Sequence, residues 1–100
     1  MTAKERKKYK SVLPIIRNAL DITWDDPVLD EKLVGIIGRG MSYIDTAAGA
    51  MLDYSEASKA MELLISYCMY ARANALNDFQ SHYLSELLSL QIQTGAASNG

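Results

Sequence analysis

One hundred residues carry 49% hydrophobic side chains and a net charge of −2, which allows one modest core and is too apolar for a disordered chain. No apolar run approaches the ~20 residues that span a bilayer. A lone Cys68 can form neither an internal disulfide nor a cysteine-based zinc site, so the chain reads as soluble and intracellular, with no signal peptide.

Only two prolines interrupt a chain whose apolar set is led by alanine, leucine and methionine. That composition favours an all-α fold, a small bundle of about four helices with a long apolar helix at its centre. The charge is unevenly placed. Residues 1–10 set Lys4, Arg6, Lys7, Lys8 and Lys10 against Glu5 alone, a net of +4 that leaves −6 for the remainder. This segment reads as a basic N-terminal arm, either solvated or set against phosphates or an acidic surface.

The first packed helix is expected from Ser11, with Pro14 in its first turn and Leu13, Ile16 and Leu20 on one face. The Lys/Arg segment before it is also compatible with a helix, in which case Pro14 marks a kink or a boundary between the two pieces. The second has the clearest start: Asp25 or Asp26 as cap, Pro27 at the first helical position, then Asp30 and Glu31 against the positive end of the dipole. Its stripe runs Leu29, Leu33, Ile36, Gly40, Ile44, Ala47, and Gly49 is the natural stop. Gly35, Gly38 and Gly40 each cost about 1 kcal/mol inside a helix, so a neighbouring helix is expected to approach closely there. They fit no dinucleotide or P-loop pattern.

Ser55 or Asp53 is the expected cap of a third helix reaching to about Asp78. From Met61 to Leu76 it is apolar nearly all round, more than a domain of this size is expected to bury. Another chain should meet part of it, with Met61, Ile65, Met69 and Tyr70 as subunit-packing candidates. A break at 77–82 precedes a fourth helix in which Leu84, Leu88 and Ile92 form one stripe and Tyr83, Leu87 and Leu90 another, which suggests contacts on two sides. Residues 94–100 read as a flexible tail.

No catalytic set emerges. His82 is the sole histidine, Cys68 has no basic neighbour, and capping and dipole compensation account for Asp25, Asp26, Asp30 and Glu31. The expectation is a non-enzyme with no metal and no cofactor. Trp24 either staples its loop to the core or stands out as an anchor for a partner.

The pattern Asp25-Asp26-x-x-Leu29-x-x-x-Leu33-x-x-Ile36, a helix ending near Ala47-Ala48-Gly49, the apolar third helix, and Phe79-x-x-x-Tyr83-x-x-Glu86-Leu87-Leu88-x-Leu90 resembles the head–tail connector proteins of tailed bacteriophages, also called adaptor or head-completion proteins. The resemblance covers residues 11–93. It implies a homo-oligomeric ring, typically of about twelve copies, assembled in the host bacterial cytoplasm and seated in the virion neck beneath the portal protein. Such a ring extends a channel that DNA crosses without sequence-specific binding, and it docks the next neck or tail-completion protein; no membrane is involved. By the same resemblance Leu84, Leu87, Leu88, Gln91 and Ile92 are candidates for the portal contact. The residues by themselves also admit a small helical nucleic-acid-binding regulator that uses the basic arm.

Overall fold

The computed structural model describes residues 1–99, with side chains described through Gln93. It holds four helices, α1 (Ala3–Ala19), α2 (Pro27–Ala48), α3 (Lys59–Arg72) and α4 (Leu76–Asn99), and no strand among the described residues. α2 and α3 each touch every other helix, while α1 and α4 lie on either side of this central pair. The expected all-α bundle of four helices is therefore the fold, but its apolar third helix is short, at 14 residues, where a long one is expected.

α1 begins well before Ser11. Thr2 Oγ1 accepts from the Glu5 N–H at 3.1 Å and the Glu5 carboxylate accepts from the Thr2 N–H at 3.0 Å, a reciprocal capping box. What reads in sequence as a basic arm is the first two turns of this helix. Ser11 does not cap; its hydroxyl donates back to the Lys8 carbonyl at 2.6 Å. Pro14 does not end the helix, because it lies on the exposed side, where water can satisfy the carbonyl it leaves without an N–H partner.

α2 starts as expected: Asp26 Oδ1 accepts from the Leu29 N–H at 3.1 Å and Pro27 follows at the first helical position. The three described helix ends at α1, α2 and α3 share one device. Asp21 (φ 59°), Gly49 (φ 76°) and Asn74 (φ 56°) turn left-handed, and the next N–H reaches back to a carbonyl five residues earlier: Ile22 to Arg17, Ala50 to Asp45, Ala75 to Tyr70. Asn74 thus stops the third helix at Arg72, not near Asp78, and the fourth starts at Leu76, inside the expected helix. At its front end α3 starts on Ser58, whose hydroxyl accepts from the Met61 N–H at 3.0 Å. Ser55 and Asp53 do not cap it, because buried Tyr54 draws this stretch onto α2. The Tyr54 hydroxyl donates to Asp45 at 2.7 Å, and the same carboxylate accepts from the Leu52 N–H at 3.2 Å. The tail expected at 94–100 falls in the last stretch of α4; its side chains and all of Gly100 lie outside the described residues.

The helical glycines divide by position. A Cβ at Gly38 would stand 2.7 Å from the Tyr9 ring, and one at Gly40 2.8 Å from both Leu64 and Tyr67, whereas at Gly35 it meets only Arg39 at 3.4 Å. Two of the three therefore permit the close helix approach that the sequence suggests. Leu64 and Tyr67 are themselves buried and cannot yield. Gly40→Ala is expected to destabilise by about 1–3 kcal/mol, while Gly35→Ala gains up to about 1 kcal/mol from helix propensity. Urea denaturation of the two variants checks both signs.

Candidate partner-binding surface

α4 has two apolar faces. Phe79, Tyr83, Leu87 and Leu90 turn inward, with Phe79, Leu87 and Leu90 buried and Tyr83 half-buried. Leu84, Leu88 and Ile92, spaced four apart and thus one turn above another, face the opposite way and are 48%, 47% and 70% exposed. Ser81, Ser85, Ser89 and Gln91 flank them and are exposed, and no charged side chain lies on this outer face between Phe79 and Gln93. Contiguous apolar surface on the side of a helix away from its own core is the kind of patch that marks interaction sites in general.

The inner face is pinned by an aromatic cluster. Phe79, 1% exposed, has its ring centroid 5.0 Å from Tyr83, 5.4 Å from Tyr67, 5.7 Å from Tyr70 and 5.9 Å from Tyr43. The cluster draws on α2, α3 and α4 and fixes the outward angle of the Leu84 stripe. His82 sits at its edge, Nδ1 2.7 Å from the Tyr70 hydroxyl. These aromatic residues are scattered between positions 43 and 83, and only the fold brings them together.

The site candidates separate cleanly. Leu84, Leu88, Gln91 and Ile92 share the outer face of α4, but Leu87 does not; it is 5% exposed and packs into the chain's own core. Met61 is fully buried and unavailable to a neighbouring subunit, Ile65 and Tyr70 are half-buried, and Met69 alone of the four is open, at 52%. The surplus of apolar surface on α3 is thus smaller than its sequence suggests, because α1, α2 and α4 all pack on it.

The basic residues also divide. Arg6 pairs with Glu31, which holds that carboxyl below the usual range and raises the guanidinium. Lys4, Lys7 and Lys8 are exposed on α1, with no ion pair among the described residues; Lys10 is exposed nearer to Glu31. The acidic start of α2 is accounted for: Asp26 caps, Asp30 receives Arg17 at 3.0 Å, and Glu31 receives Arg6. No cluster of three or more His, Cys, Asp or Glu able to hold a metal ion occurs among the described residues, nor is any helix there long and apolar enough to cross a membrane.

Cys68 is fully buried, and burial pushes its thiol up to about 12. Reaction with a thiol reagent at pH 8 is therefore expected to be slow in the native protein and fast in denaturant; equal rates would show an accessible thiol. No protein-family model, curated protein or solved structure matches this chain.

Proposed function

We propose that this chain is a structural adaptor subunit of the head–tail connector kind, acting by assembly without catalysis. In this reading copies form a ring beneath the portal in the virion neck, extend the DNA channel and present a surface to the next neck or tail-completion protein. The observation that carries it is the outer face of α4, where Leu84, Leu88 and Ile92 stand exposed on a helix already anchored by its other side. A non-enzymatic scaffold needs such a second face; a self-contained monomer does not. The net of −6 outside residues 1–10 adds support, since a channel lining that repels phosphates lets DNA slide.

The row of unpaired Lys4, Lys7 and Lys8 on α1 favours a second reading, a nucleic-acid-binding regulator. It predicts duplex DNA binding that weakens steeply with salt and fails when these lysines are neutralised. Native mass spectrometry of the full chain, alone and mixed with portal protein, separates the readings. A complex holding a ring-sized number of copies on the portal is the adaptor's expected result. A chain that ignores the portal but binds duplex DNA with a steep salt dependence overturns it in favour of the regulator.

A further inference from the structure

Between the C-terminal half of α2 and the neighbouring parts of α3 and α4 lies an open cleft of about 550 Å³. Arg39, Ser42, Tyr43 and Thr46 enter it from α2, Tyr67 from α3 and Gln80 from α4. Each of these six side chains carries a hydrogen-bond donor, and no carboxylate lines the cleft. Its charge is that of Arg39, which has no ion pair among the described residues. The acids around it are placed elsewhere. Asp45 is taken up by Tyr54 and Leu52. Asp78 precedes Gln80 by two residues, about 200° around α4 and so on its far side. Glu5 borders the adjoining hollow beyond Arg39, where it is held in the Thr2 capping box.

Two features set the cleft apart from ordinary polar surface. Tyr67 is only 8% exposed, with its ring packed beside Tyr43 and Phe79, yet its hydroxyl has no hydrogen-bond partner among the described residues and keeps contact with solvent. Burial raises this phenol above its usual range, so it stays protonated and a donor at neutral pH. Arg39 pulls the other way, which places the guanidinium within electrostatic reach of the same hydroxyl. The second feature is Gly35, the helical glycine that no neighbouring helix requires. The Arg39 Nη1 lies 3.4 Å from where a Cβ at Gly35 would stand, so the bare backbone leaves the guanidinium room to turn.

We infer that this cleft binds a phosphate group, with Arg39 supplying the charge and the Tyr67, Ser42 and Thr46 hydroxyls and the Gln80 amide supplying further donors. Arginine suits this role because its planar fork gives two parallel N–H bonds to two oxygens. Donors that arrive from three helices surround a guest, which matches the tetrahedral oxygens of phosphate better than a planar carboxylate. The Tyr43 ring and the room beyond one anion admit either free phosphate or a small phosphate ester. The site goes beyond the adaptor reading and stands apart from it, since none of its residues belongs to the outer stripe of α4.

Proton–nitrogen correlation NMR of the full chain, titrated with inorganic phosphate at constant ionic strength, tests it. Saturable shifts are expected at residues 39–47, 67 and 80, with a dissociation constant of about 1 mM or tighter. Trp24 is the internal control. It stands out 51% exposed on the α1–α2 connection, about 18 Å from Arg39 along α2, and its indole signal should not move. Arg39→Gln and Tyr67→Phe should each weaken binding at least about tenfold. Lys8→Gln, which removes an unpaired cation on α1, should leave it unchanged. Arg39 and Lys8 are exposed and Tyr67→Phe keeps the buried ring, so all three variants should fold, as the same spectra will show. Acetate should bind more weakly than phosphate. Phenyl phosphate distinguishes the two sources: tighter binding than phosphate assigns the cleft to an ester, and equal or weaker binding assigns it to the free ion. Shifts that never saturate, binding lost with Lys8 and kept without Arg39, a Tyr67→Phe variant that binds like wild type, or acetate bound as tightly as phosphate each overturns the inference.

Discussion

Phe79→Ala is expected to destabilise the domain by about 3–5 kcal/mol, the largest effect of any single truncation considered. Phe79 is 1% exposed, and its ring meets Tyr83, Tyr67, Tyr70 and Tyr43 at centroid distances of 5.0–5.9 Å. Removing it opens a cavity where α2, α3 and α4 converge, and it also forfeits edge-to-face contacts of about 0.5–1.5 kcal/mol each. The wall residues are themselves large rings anchored on three helices, so the site cannot collapse to fill the space. Against a total stability of about 5–15 kcal/mol, the loss would show as a melting temperature lower by about 4–8 °C per kcal/mol. A small loss, under about 1 kcal/mol, would mean that α4 docks by other contacts.

Leu84→Glu/Leu88→Glu is expected to do the opposite: to leave folding nearly untouched and abolish docking. Both side chains are about half exposed on the face turned from the core, and glutamate and leucine differ little in helix propensity, so stability should stay within about 0.5 kcal/mol of wild type. At a protein interface the same changes bury two charges in an apolar contact. Central apolar anchors commonly contribute about 2 kcal/mol or more apiece, and affinity for the portal should fall at least about 100-fold. Binding to immobilised portal protein, measured beside a denaturation curve, separates the two effects. Had the stripe been core, stability and binding would fall together.

Much of this was legible in the chain. Asp26-Pro27 announced α2, Gly49 its end, and Gly38 and Gly40 the close approach of Tyr9, Leu64 and Tyr67. The two stripes of α4 could be read from spacing alone, although which one faced outward could not; that follows from Phe79 and its partners, a cluster no local pattern reveals. The Thr2/Glu5 capping box was present in the sequence but is followed by a run of lysines that reads first as a solvated basic arm, with a helix there only the alternative. Asp21 and Asn74 end helices in the left-handed conformation, yet aspartate and asparagine occur in so many settings that neither signals a stop by itself. The alanines around Asn74 favour helix and mask the break. Met61 and Leu87 are misread from sequence for a related reason: periodicity shows that a residue is apolar and which face it shares, and only the packed bundle shows whether its own chain covers that face.

The most direct test of the central claim is hydrogen–deuterium exchange of the full chain, free and bound to portal protein. If the outer face of α4 is the docking surface, amides across residues 80–93 should exchange more slowly in the complex. Binding that leaves exchange across 80–93 unchanged, with protection confined to other helices, would contradict it.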